Sequence, residues 1–229
     1  MKSQDKAVWT RHLLAAGVVY AGAAPVLACD VALALTIDVS GSVDRHEYVL
    51  QMKGLADALR DPTVADALVA AEAAVTVVQW TGVSRQKVTL PWVRISEFAQ
   101  VGALADQVEA TPRSWRHFST AIGSALRFTA ATFDAVPDCT RRVIDVSGDG
   151  VSNEGVEPVL VHAQLRAAGI TVNGLAIEGS AEDLTAYYWE NVMVGDPAFV
   201  MTANDFDDYP ERIKRKLLRE VTQQVSSLP

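Results

Sequence analysis

Basic charge is scarce in this sequence. Twenty Lys and Arg stand against 28 Asp and Glu, a formal charge of −8. A chain this acidic lacks the basic face that a nucleic-acid partner requires. Internal repeats, low-complexity tracts and Pro/Gly/Ser-rich linkers are also missing, so one domain is the best count. At 49% hydrophobic and 21% charged residues, the composition is that of a globular domain with a sizeable core, not of a disordered or fibrous chain. Beyond the N-terminus no segment is long and apolar enough to cross a membrane. The usual enzymatic signatures are absent as well. There is no Gly-x-x-x-x-Gly-Lys-Ser/Thr loop, no Gly-x-Ser-x-Gly elbow and no His–Glu zinc helix.

Cysteine is limited to Cys29 and Cys139. Residues 1–28 read as a signal peptide. Lys2, Lys6 and Arg11 precede the apolar stretch Leu13 to Ala24, and Val26 and Ala28 supply small residues before Cys29. The competing reading, an N-terminal core helix, is opposed by Pro25 and by the strand that starts immediately afterwards. Removal of residues 1–28 takes away three cations and one anion and moves the formal charge from −8 to −10. The expected mature domain is 29–229, periplasmic or secreted. Two cysteines in an oxidising compartment predict a Cys29–Cys139 disulfide. Because Val26-Leu27-Ala28-Cys29 partly matches a lipobox, a lipoprotein anchored at Cys29 is the alternative.

From residue 30 onward strand and helix signals alternate. Val31 to Ile37 is a near-continuous apolar run, the mark of a strand covered on both faces. A helix is predicted over 44–60, with Asp44 as N-cap, Glu47 three residues on, and a stripe of Tyr48, Met52, Leu55 and Leu59. Strands follow at 74–80 and 86–93. The short TGVSR connector and Pro91 make the second of these an antiparallel edge strand. Helices are expected at 95–109, 120–135, 156–168 and 181–190, and strands at 142–147, 170–177 and 198–202. The last helix carries Pro210 in its first turn and a stripe of Ile213, Leu217, Val221 and Val225. This order predicts an α/β fold: a doubly wound, mostly parallel sheet with helices on both faces.

Ligands in such sheets gather beyond the carboxyl ends of the strands, where strand order reverses. Two strands end in acidic, small-residue turns, at Asp38-Val-Ser-Gly-Ser42 and at Ser-Gly-Asp149-Gly150. If those strands are neighbours, Asp38 and Asp149 converge and repel. A hard divalent cation, held with help from the Ser40 and Ser42 hydroxyls, resolves the conflict. Thr120, before an apolar helix in RHFSTAIGSAL, is placed to join them.

Over about residues 30–226 this pattern resembles the von Willebrand factor type A (vWA) domain with its metal-ion-dependent adhesion site, and most of all an exported bacterial branch of that family. The family pattern is Asp-x-Ser-x-Ser, a later Thr, and an Asp in a Thr/Ser-Asp-Gly-like turn. It falls on Asp38, Ser40, Ser42, Thr120 and Asp149. One departure stands out: Gly148 directly precedes Asp149, where the family usually has Thr or Ser. The resemblance implies Mg²⁺ first, with Mn²⁺ or Ca²⁺ as alternatives, an open coordination position, and a protein ligand that offers an exposed Asp or Glu. It implies a binding module for adhesion or scaffolding, not an enzyme. The alternatives are a metal-dependent hydrolase such as a phosphatase, and a purely structural envelope protein. A haloacid-dehalogenase-like phosphatase would need Asp-x-Asp, whereas position 40 is serine.

Other residues carry weaker signals. Asp145, inside a core strand, is a candidate to support the metal site from behind, with Thr36 or Arg141 as expected partners. Trp115, Arg116 and His117 precede Thr120 and could rim the ligand face. Trp80 reads as core and Asn153 as a cap. The RIKRKLLR run at 212–219 reads as the solvated side of the last helix.

Overall fold

The computed structural model describes residues 29–179 and 183–222, so the expected signal peptide and Val225 lie outside the described residues. The apolar run forms β1 (Val31–Asp38), buried along its whole length. β2 (Ala74–Trp80), β3 (Gln86–Arg94), β4 (Arg141–Gly148), β5 (Ile170–Ile177) and β6 (Val200–Ala203) complete one six-stranded sheet in the order β3-β2-β1-β4-β5-β6. Every pairing is parallel except β2 with β3. Pro91 is tolerated there because β3 is the edge strand.

Because neighbouring side chains on a strand point to opposite faces, β1 feeds two cores. Val31, Leu33, Leu35 and Ile37 join one apolar cluster and Ala32 and Ala34 the other. The first cluster is covered by α1 (Arg45–Arg60), α2 (Pro62–Ala70), α3 (Phe98–Ala110) and α7 (Tyr209–Thr222). The second is covered by α4 (Ile122–Thr132), α5 (His162–Ala167) and α6 (Leu184–Asn191). α1 starts in the predicted capping box: the Asp44 carboxylate accepts the Glu47 N–H at 2.8 Å, and Glu47 accepts the Asp44 N–H at 2.6 Å. Such a cap is worth about 1 kcal/mol. Pro62 opens α2, at the position where its missing N–H costs nothing. The expected 120–135 helix is shorter, because Thr120 and Ala121 lie before its first turn and 133–135 tighten into a 3-10 turn. The expected 156–168 helix likewise divides into a 3-10 turn at Pro158–Val161 and the short α5. Among the described residues no helix is long and apolar enough to cross a membrane.

The reading of 212–219 as a solvated surface is corrected at Lys216, which is fully buried. Positions 213, 216, 217, 220 and 221 share one helical face, so Lys216 and Glu220 lie inside the buried stripe. The Lys216 ammonium contacts Asp145 Oδ2 on β4 and donates to Glu220 Oε1, each at 2.7 Å. Asn173 of β5 also donates to Glu220 Oε1, at 2.9 Å. Burial, then repulsion from Asp145, raises the Glu220 carboxyl to about 8. A carboxyl raised on folding takes up protons in the folded state. Its contribution is therefore complete below its ordinary value near 4.5 and is lost as pH rises toward 8. Glu220→Gln is expected to flatten the fall in stability between about pH 4.5 and pH 8, read by denaturant unfolding at several pH values; an unchanged pH profile would refute this linkage.

Below the sheet, Cys29 and Cys139 form a disulfide with Cα atoms 4.4 Å apart, 110 residues apart in sequence. Two backbone bonds continue the pairing there, Thr140 N–H to Cys29 O and Arg141 N–H to Asp30 O. Closing so long a loop stabilises by up to about 4–5 kcal/mol on the chain-entropy estimate. Cys139→Ser should lower the unfolding free energy by about 2–5 kcal/mol, measured in denaturant against the oxidised wild type; a loss under 1 kcal/mol would show that the crosslink is energetically idle.

Candidate metal centre

The β1–β4 register decides where the site is. Ile37 pairs with Ser147, so Asp38 and the Asp149 turn leave the sheet side by side at its carboxyl end. The β1–α1 loop then folds back on itself. Asp38 Oδ1 accepts the Ser40 N–H at 2.7 Å, and the Ser40 and Ser42 hydroxyls are 3.1 Å apart. The Ser42 hydroxyl donates to Asp149 Oδ1 at 2.6 Å. Three of the predicted residues thus form a chain of oxygens that ends on the fourth. Thr120 comes from the loop before α4 and is held by the loop after β4. Its N–H donates to Asn153 Oδ1, and its carbonyl accepts the Asn153 N–H at 2.8 Å. A Cβ built on Gly150 would lie 3.7 Å from Thr120 Oγ1, which brings the third loop against the second. Asn153, read as a cap, is the residue that docks these loops together.

The electrostatics are those of a site short of positive charge. Asp38 is fully buried, and among the described residues its Oδ2 has no hydrogen-bond partner. Burial, with the Asp149 charge second, raises the Asp38 carboxyl to about 8. Burial raises Asp149 too, against the Ser42 hydrogen bond. Two carboxylates and three hydroxyls are hard oxygen donors. Together with an orphaned buried carboxylate oxygen, they fit a divalent cation. No group of three or more His, Cys, Asp or Glu side chains gathers among the described residues; hydroxyls supply most of this donor set.

Arg113 was not among the residues singled out from the sequence. Its guanidinium donates to the carbonyls of Ser40 at 2.7 Å, Val39 at 3.0 Å and Asp44 at 3.3 Å, and lies over the Tyr48 ring. It grips the whole β1–α1 loop from outside. Gln51 donates to the Asp38 carbonyl, and the Gly41 N–H to the Phe118 carbonyl. Nothing in the sequence separates Arg113 from Arg116 in the same irregular stretch, and its distant partners are backbone atoms.

The other expectations resolve unevenly. Asp145 is tied to Lys216, while Thr36 donates only to its backbone carbonyl and Arg141 donates to the carbonyls of Glu220 and Val221. A 3.3 Å bond from the Ser147 hydroxyl is its link toward the strand end. Trp115 is half-buried against the first core, whereas Arg116 and His117 are exposed. His117 has a φ of 60° and its Cα is 3.5 Å from where a Gly41 Cβ would lie, so the rim loop rests directly on the first metal loop. Trp80 is buried core, as expected.

The fold is that of the vWA domains. Proximal thread matrix protein 1 from the mussel byssus matches with a TM-score of 0.63 at 20% identity, over 83% of this chain and 47% of that one. A second structure of that protein, described as having a zinc-occupied MIDAS motif, matches with a TM-score of 0.62 at 17% identity, over 85% and 46%. A von Willebrand factor type A protein from Catenulispora acidiphila matches with a TM-score of 0.54 at 17% identity, over 85% and 43%. The chain thus spans about half the length of these structures. No curated protein is significantly similar in sequence. A family model described as "Protein of unknown function (DUF1194)" matches residues 28–225, and with nearly the whole domain inside that match, the chain belongs to the DUF1194 family.

Proposed function

We propose that this protein is an exported, metal-dependent protein-binding module of the adhesion or scaffolding kind. The observation that carries the proposal is Asp38 Oδ2, a buried carboxylate oxygen with no hydrogen-bond partner among the described residues, beside a second carboxylate. Asp38, Ser40, Ser42, Thr120 and Asp149 would hold the cation, Mg²⁺ first and Mn²⁺ or Ca²⁺ as alternatives. When bound, the cation supplies a Lewis-acidic position for a carboxylate from the partner. The chain's own residues orient the site: Arg113 and Gln51 fix the first loop, and Asn153 fixes Thr120 against it. Around them Val83, Phe118 and Val151 are exposed apolar residues, and Arg85 lies 3.9 Å over the Phe118 ring. A protein ligand with an exposed Asp or Glu suits such a rim. The reading as a binder rather than a hydrolase is favoured by Asp145, which is buried under the sheet against Lys216 and not poised to act as a base. The disulfide suits export to the periplasm or beyond. A mussel relative in fold with a zinc-occupied MIDAS motif supports a divalent cation in general, not a particular ion.

Calorimetric titration of the disulfide-bonded domain with Mg²⁺ and Mn²⁺ should give one site, with Asp38→Ala weakening binding by at least 10-fold. Cross-linked capture of envelope proteins should then require the cation and decline in Ser42→Ala and Thr120→Ala. Equal cation binding by Asp38→Ala would defeat the site, and capture unaffected by chelator would defeat the adhesion reading.

A further inference from the structure

Tyr188 projects from α6 into the second core and is fully buried, yet among the described residues its hydroxyl has no hydrogen-bond partner. An orphaned buried hydroxyl is costly, and phenylalanine would fill the same space without that cost. Two glycines make room for this ring. A Cβ at Gly174 of β5 would lie 2.8 Å from Tyr188 Cδ1, and a Cβ at Gly148 of β4 would lie 2.7 Å from Tyr188 Oη. Val146 pairs with Gly174, so the two glycines line the same face of adjacent strands. Gly148 is not among the residues with positive φ, so its backbone does not require glycine. What requires it is the tyrosine first and then the Asp38 side chain, whose Cβ lies 3.1 Å from the same point. The same point above Gly148 is 3.0 Å from Asp38 Oδ2. Among the described residues, a donor and an acceptor without hydrogen-bond partners thus both lie within 3.0 Å of the point where a side chain at 148 would begin.

We infer that Tyr188 is a positioning residue for the cation site, its hydroxyl donating to Asp38 Oδ2, directly or through one water, in place of the hydroxyl that residue 148 lacks. The inference rests on the cation-binding reading above. Asp38 Oδ1 is already held by the Ser40 N–H. With Oδ2 held as well, the carboxylate has one orientation, and the lone pairs left over are aimed at the cation. Partners of this sort behind a metal ligand typically change affinity by about 10–100-fold. The departure from the family pattern at Gly148 then has a physical reason: a side chain there and the Tyr188 hydroxyl exclude each other.

The test uses the whole disulfide-bonded domain, with Mg²⁺ and Mn²⁺ as probes in calorimetry and the melting temperature of the cation-free protein as a second readout. Tyr188→Phe should lose about 10-fold or more in cation affinity while the cation-free protein melts no lower than wild type. Adding Gly148→Ser to Tyr188→Phe should recover the affinity, because the serine hydroxyl enters the space the phenol oxygen has left. Wild-type affinity in Tyr188→Phe overturns the inference and leaves the cation site standing. A loss that the added serine does not recover overturns it too, as that would mark a packing effect. Absence of cation binding by the wild type would overturn both readings together.

Discussion

The parallel pairing of β1 with β4 is the constraint on which the rest of this molecule depends. It joins segments more than 100 residues apart in sequence. At its amino end it brings Cys29 and Cys139 to bonding distance, and at its carboxyl end it brings Asp38 beside the Asp149 turn. One register thus sets the crosslink and the candidate site, and sliding it by one residue would misplace both. The helices follow from it, because strands buried on both faces require cover on both.

The site's geometry is organised by the chain itself. Asp38 accepts from its own loop, Ser42 from that loop reaches Asp149, and Arg113 takes three carbonyls of the same turn. Backbone carbonyls in an irregular loop need partners as much as side chains do. By supplying them, a guanidinium with its fixed fork of donors holds the loop in one shape. Such preorganisation would reduce what a cation must do on arrival at the proposed site, since the hydroxyls would need little rearrangement to face it.

How much of this was legible in the sequence depends on the range of the interactions. The strand runs, the Asp44 capping box, the edge position of Pro91 and the Asp38-x-Ser-x-Ser42 turn are local patterns, read from residues within a few positions of each other. Lys216 was misread because a run of like-charged residues masks helical spacing: four of its neighbours are cationic, but position 216 falls on the face of Ile213 and Leu217. Arg113, Asn153 and Tyr188 were opaque for a different reason. Their partners are carbonyls, glycines and loops fixed only by the tertiary fold, and no periodicity announces them.

The two faces of the sheet meet one electrostatic problem in two ways. On the α7 face, Asp145 and Glu220 are buried close together, and the chain provides Lys216 between them, with contacts of 2.7 Å on either side. On the other face, Asp38 is buried beside Asp149, and among the described residues no ion pair reaches Asp38. Arg113 lowers its carboxyl only from a distance, as the last and smallest of its influences. Asp145, held by its own lysine, contributes to a fixed core, because breaking a buried ion pair is expensive. A buried carboxyl that no ion pair among the described residues reaches, as at Asp38, keeps a high demand for positive charge at the end of the sheet where such folds bind ligands. Had a lysine stood near Asp38 as Lys216 stands near Asp145, both faces would carry a paired carboxylate. The unequal distribution of internal cations leaves the buried Asp38 carboxyl without an ion pair among the described residues, while Asp145 has one.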